Sequence, residues 1–191
     1  MNGVFEETLE GLTVRTGDII GTVDGNASLY GLLFKIIGEI VPGRPDHIAI
    51  YLGPDGICVE AAPRGVNLFR FFGGRWDTKR MQGQRDVVDS LYGVGSLLQG
   101  RFPNPKQEED ARETVRSFVL DQIGKRYNMN FLDVDSEEDF YCSQLAYAAY
   151  KRVGLDMNVA AAGSLHPKFL NRIVTPEEVW NACCPRQETG Q

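Results

Sequence analysis

Two short apolar runs held four residues apart constrain this chain more than any other feature. Residues 47–52 (His-Ile-Ala-Ile-Tyr-Leu) and 57–61 (Ile-Cys-Val-Glu-Ala) are rich in strand-forming side chains. The Gly53-Pro54-Asp55-Gly56 between them consists of turn formers, so the stretch reads as an antiparallel hairpin. If Leu52 and Ile57 close that turn, register sets Ala49 opposite Glu60 and His47 opposite Ala62. His47 and Glu60 then share a face as diagonal neighbours, roughly 7–8 Å apart at the backbone, a gap that a glutamate and an imidazole can bridge. Asp46 points to the opposite face. Cys58 lies on the face of Glu60 and reads as a small core residue.

A carboxylate inside so apolar a run is costly to bury without a partner, and the titrating partner the hairpin offers is His47. A lone histidine at a strand end is most often a satisfied structural residue; Glu60 is what gives His47 a chemical role.

A second feature is Asp139-Phe140-Tyr141-Cys142-Ser143-Gln144-Leu145, which leads into a helical stretch running to residue 153 and stopped by Gly154. A thiol at a helix N-terminus faces unpaired backbone amides and the positive end of the helix dipole, and both stabilise a thiolate. Cys142 is therefore a candidate nucleophile. The competing reading is a small apolar residue on a core helix, the commoner fate of a cysteine.

The rest of the chain sets the frame. Its 191 residues, 42% apolar, fit one domain over residues 1–191. Such a chain buries roughly 70% of the surface its unfolded form exposes, so it needs no disulfide or structural metal. Four cysteines and two histidines with no C-x-x-C or H-x-x-x-H spacing argue against a zinc site, and no cofactor is expected; the vicinal Cys183 and Cys184 read as bland. A net charge of −6 with no basic run argues against nucleic acid as a partner. Residues 1–12 lack the basic and apolar segments of a secretory signal, so a cytoplasmic location is expected.

Residues 18–23 and 66–71 read as strands, with a weaker strand signal at 81–88. The apolar stretch 29–41 is interrupted by Gly31, Lys35, Gly38 and Glu39 and is too short to span a bilayer; it reads as a core-facing helix ending at Pro42-Gly43. Asn104 as N-cap, Pro105 at N1 and Gln107 at N3 open an amphipathic helix with Ala111, Val115, Phe118 and Val119 on one stripe. Thr175-Pro176-Glu177-Glu178 opens another. Strands first and helices later make the fold class α+β.

Taken together, Asp46-His47-Ile48-Ala49-Ile50-Tyr51-Leu52-Gly53, Val59-Glu60-Ala61, Gly65-Val66, Gly124-Lys125-Arg126-Tyr127 and Phe140-Tyr141-Cys142-Ser143-Gln144-Leu145 resemble the NlpC-type papain-like superfamily. More narrowly, they resemble its circularly permuted branch typified by YiiX and YebB, related to lecithin retinol acyltransferase. In the unpermuted branch the cysteine helix precedes the histidine strand; here His47 and Glu60 come first.

The resemblance implies a small antiparallel sheet or barrel packed against helices, with the nucleophile at a helix N-terminus. It implies Cys142 as nucleophile, His47 as base and Glu60 as the third polar residue, with Tyr127 lending its hydroxyl to the oxyanion site. Many unpermuted relatives carry histidine where Glu60 stands. The implied activity is a thiol-dependent hydrolase of amide or thioester bonds working through an acyl-enzyme. The alternatives are an acyltransferase or thioesterase on lipid-linked acyl groups and a non-catalytic ligand-binding domain of the same fold. A small-molecule, peptide or acyl substrate would be the partner, and the oligomeric state stays open.

Overall fold

The computed structural model describes residues 3–24, 45–72, 75–76, 89–157 and 173–189. Its strands are β1 (Glu6–Leu9), β2 (Leu12–Arg15), β3 (Ile19–Asp24), β4 (His47–Tyr51), β5 (Ile57–Ala62), β6 (Gly65–Phe72), β7 (Arg75–Trp76) and β8 (Asp89–Gly95) in the first half of the chain. Then come helix α1 (Pro105–Asp121), β9 (Arg126–Tyr127), β10 (Asp139–Phe140), α2 (Cys142–Lys151), α3 (Pro176–Ala182) and β11 (Arg186–Glu188). The expected helix at 29–41 and strand at 81–88 lie outside the described residues.

The hairpin adopts the register its turn dictates. Ile50 pairs with Val59 and Tyr51 with Cys58, and the Leu52 N–H donates to the Ile57 carbonyl at 2.8 Å. The ladder between these two strands consists of those two pairs and is not continued to Ala49 and Glu60. β4 is sandwiched by β3 as well, with Thr22 opposite His47. The whole sheet runs β11-β8-β3-β4-β5-β6-β7, every neighbour antiparallel. A single pair, Arg75 with Ser90, also joins β7 to β8. Among the described residues the sheet thus curls back towards itself through that one pair without a closed ladder, and of the sheet and barrel expected it is the curled sheet that they form.

Both faces of this sheet are covered, which explains why β4 is buried along its whole length rather than alternating with solvent. One face, with Ile19, Ile48, Ile50, Val59, Ala61 and Val66, packs against α1, α2 and α3. The other, with Ile20, Ala49, Tyr51, Cys58, Phe69 and Phe71, is closed by Leu9, Leu12 and Val14 of the β1–β2 hairpin. Each fully buried isoleucine or valine adds roughly 1.5–3 kcal/mol relative to exposure. Cys58 thus sits in the core, as its sequence context suggested.

The helix ends are built as their sequences specify. The Asn104 side chain accepts from the Gln107 N–H at 3.0 Å, with Pro105 at the first position, and Ala111, Val115 and Val119 face inward. At α3, Thr175 and Glu178 cap each other reciprocally at 3.1 and 2.7 Å. α2 is buried along nearly its full length, and its Tyr150 hydroxyl donates to the Gly17 carbonyl at 2.5 Å. That bond anchors the far end of the helix on the turn before β3. Among the described residues no helix is long and apolar enough to cross a membrane.

Candidate active site

His47 opens β4, where the neighbouring Asp46 N–H bonds the Thr22 carbonyl at 3.1 Å and fixes the strand's entry. Glu60 lies on β5 between β4 and β6, only 1% exposed. The two side chains meet, as the sequence suggested: His47 Nε2 lies 2.7 Å from Glu60 Oε2. A glutamate this deeply buried is tolerable only with such a partner.

Cys142 is the first residue of α2, following the extended Tyr141 at the N-cap. It lies close enough to His47 to bear on the charge of the ring. The structure therefore brings together three side chains spread across the sequence at positions 47, 60 and 142. Burial alone would push the imidazole towards its neutral form. The negative charge available at Cys142 and Glu60, with hydrogen bonds to both, outweighs it and lifts His47 well above its ordinary range.

Tyr127 is half-buried at the end of β9, whose parallel pairing with β10 sets it beside Phe140, two residues before the cysteine. Burial raises its hydroxyl well above the usual phenol range, and the charges of Cys142, Tyr141 and Glu60 push in the same direction. The hydroxyl stays protonated and able to donate. The ring of Phe131 stands edge-on to Tyr127 and also packs on Tyr141, with centroids 6.4 and 5.3 Å apart.

The main chain on either side of Cys142 is clamped. The Tyr141 hydroxyl accepts from the Val174 N–H at 3.2 Å, and the Ser143 hydroxyl donates to the Val174 carbonyl at 2.7 Å. Gln144 reaches back to accept from the Tyr141 N–H at 3.2 Å. The sequence reading quoted Gln144 only as part of a motif. A signal was present: with Cys142 at the first helical position, Gln144 falls at N3, where glutamine bonds the N-cap amide. The Val174 clamp carries no such signal, because it is a contact between backbone and side chains distant in sequence. Among the described residues no group of three His, Cys, Asp or Glu side chains could hold a metal ion.

Residues 100–183 match the family model described as permuted papain-like amidase enzyme, YaeF/YiiX, C92 family. The matched segment holds Cys142 and Tyr127 but neither His47 nor Glu60, so the meeting of all three side chains is an observation independent of the match. No curated protein and no solved structure matches the chain. Over residues 100–183 the chain is thus similar to the permuted papain-like amidases of the YaeF/YiiX, C92 family, which supports the resemblance to circularly permuted papain-like cysteine hydrolases read from the sequence.

Proposed function

We propose that the protein is an amidase or peptidase in which Cys142 is the nucleophile, His47 the base and Glu60 the group that orients the imidazole. One observation carries this reading: a buried imidazole held at 2.7 Å by a buried carboxylate, with Cys142 at a helix start close enough to act on its charge. With Nε2 engaged by Glu60, Nδ1 is the nitrogen left for the thiol. His47 takes the thiol proton, and Glu60 stabilises the imidazolium that results.

The thiolate adds to the substrate carbonyl, and the oxygen takes the negative charge. The Cys142 backbone N–H at the helix N-terminus donates to that oxygen together with the Tyr127 hydroxyl, a donor of this type being worth about 3 kcal/mol. Collapse of the adduct breaks the C–N bond as the imidazolium returns its proton to the leaving amine. An acyl thioester remains on Cys142. Water, deprotonated by His47, then cleaves it to the acid and restores the thiol.

The test uses an aminoacyl p-nitroanilide and p-nitrophenyl acetate, with mass spectrometry of the protein. Wild type is expected to carry the acyl group on Cys142, and Cys142→Ser is expected to lose turnover by about 10⁴-fold while melting normally. Acyl groups found only on the exposed Cys184, or equal turnover in Cys142→Ser, would overturn the reading.

A further inference from the structure

Gln144 is fully buried, and a buried primary amide has two donors and an acceptor that all require partners. Its Oε1 accepts from the Tyr141 N–H at 3.2 Å and from Asn128 Nδ2 at 2.9 Å. Its Nε2 donates to the carbonyls of Asp133 at 3.0 Å and Ser136 at 2.9 Å, with that of Val134 at 3.4 Å. Turned over, the amide would set its oxygen against three carbonyls, so the network itself fixes the orientation.

These bonds join the two places that supply the oxyanion donors. On one side Tyr141 immediately precedes Cys142, and its N–H is held by Gln144 while its hydroxyl is held by Val174. On the other side Asn128, itself buried, directly follows Tyr127. The Asn128 N–H donates to the Phe140 carbonyl at 3.1 Å, and its Oδ1 accepts from the Asn130 N–H at 2.7 Å. The segment 128–138 between them contains neither helix nor strand. Without a ladder of its own, it takes its shape from the two amide side chains.

We propose that Gln144 is a positioning residue that locks the Cys142 backbone N–H and the Tyr127 hydroxyl in register with each other, and so sets the geometry of the oxyanion site. The inference rests on the triad reading and adds to it a residue that touches neither the substrate nor the reacting atoms. Oxyanion donors act over a few tenths of an ångström, and a displacement of about 1 Å at a reacting centre costs about 100-fold in rate. The β9–β10 ladder joins Tyr127 to Phe140, two residues short of Cys142, and the Gln144 amide carries that link on to the start of the helix.

The test separates two reactions of the same sulfur. With iodoacetamide, the thiolate displaces iodide at a saturated carbon; a C–S bond forms, the C–I bond breaks, and no oxygen gains charge. With p-nitrophenyl acetate, the thiolate adds to the acetyl carbonyl, whose oxygen becomes anionic before the ester C–O bond breaks and p-nitrophenolate leaves. Alkylation reads the thiol and imidazole alone, whereas acetylation also reads the oxyanion site.

In Gln144→Met, which keeps the volume and removes the amide, the acetylation rate at Cys142 is expected to fall about 10- to 100-fold. Alkylation at the same pH should stay within about twofold of wild type. Asn128→Ala cuts the brace from the other side and is expected to show the same split, so it carries the test if Gln144→Met does not fold. Equal losses in both reactions, or none in either, would overturn the role of Gln144. A wild-type chain with no acetylation at Cys142 strikes down the triad reading and this one with it, whereas wild-type acetylation that persists in both variants removes only the brace.

Discussion

Among the described residues charge is buried in two places, and they are built on opposite principles. In the middle of α1, Arg112 is fully buried among polar partners: Asp18 Oδ1 and the Thr16 carbonyl at 2.8 Å, Ser96 Oγ at 3.3 Å and Glu108 Oε1 at 2.9–3.0 Å. Arg15 adds a second cation on Glu108 at 3.0 Å. The guanidinium cannot lose its proton in this range of pH, so the cluster carries a permanent charge with fixed partners. At the site, by contrast, the buried cation is a histidine whose charge depends on its neighbours, and one of those neighbours is a thiol.

Their responses to pH differ accordingly. Around Arg112 only the carboxylates titrate, and they pull against each other. Burial lifts Asp18 above the usual carboxylate range in spite of Arg112. Burial also works to raise Glu108, but the Gly100 N–H and Arg112 hold it below that range. Glu108 contributes stability that is present above its unfolded value and lost as pH falls through its folded one, while Asp18 works the other way. The two acid responses of that cluster oppose each other. The His47 cluster responds at and above neutrality instead. A fold that needs a fixed charge uses arginine, and one that needs a movable proton uses histidine held by glutamate.

The sharpest way to break the comparison is to neutralise one carboxylate at the site. Glu60→Gln keeps the shape of the side chain and a hydrogen-bonding atom near Nε2 but removes the charge that favours imidazolium. By analogy with other triads, kcat/KM on an aminoacyl anilide should drop by about 10³–10⁴-fold, with a much smaller change in urea midpoint. Activity within about threefold of wild type would mean that Glu60 is merely a buried partner, as Asp18 is.

The mirror experiment acts on stability. Arg112→Met leaves Asp18 and Glu108 facing a buried apolar side chain, and stranding buried charge in this way costs about 3–5 kcal/mol. The urea midpoint should fall accordingly. Activity per folded molecule should hold, because the Tyr150–Gly17 anchor that joins this region to α2 lies about 12 Å along the helix from Cys142. A variant with normal stability and lost turnover would reverse the assignments of the two clusters.

How much of this was legible beforehand follows the same division. The site pair was readable because a four-residue turn makes the two strands adjacent and a buried glutamate in the second needs a partner, for which His47 is the titrating group at hand. The cap residues Asn104 and Thr175 were readable because their hydrogen bonds are local. The Arg112–Asp18 pair was not, since its partners are 94 residues apart and nothing local distinguishes Arg112 from a solvated arginine on the polar side of a helix. Nor was β8, whose Gly93 and Gly95 weaken any strand signal. Those glycines are required because a Cβ at Gly93 would come within 2.3 Å of the Gln187 carbonyl, and one at Gly95 within 2.8 Å of Cys183 Cβ. The β1–β2 hairpin was hidden too. Its two-residue turn uses Glu10 and Gly11 at φ 51° and 82°, a left-handed pair for which Asn-Gly is the familiar signature and Glu-Gly is not.

The smallest effect is the most discriminating. His47 has a raised folded value, so its contribution to stability is fully present below the unfolded histidine value of about 6.5 and is lost as pH rises through the folded one. Cys142 and Glu60 both act to raise it. Cys142→Ser should therefore lower the midpoint of the His47 ring proton shifts in NMR, while leaving it above that of an ordinary histidine because Glu60 remains. Only His47 and His166 contribute such signals, so the spectrum of His47→Gln assigns them. An unchanged midpoint in Cys142→Ser would mean that the sulfur and the ring do not share charge. The site would then be a second Arg112-type cluster, an ion pair that holds the fold and moves no proton.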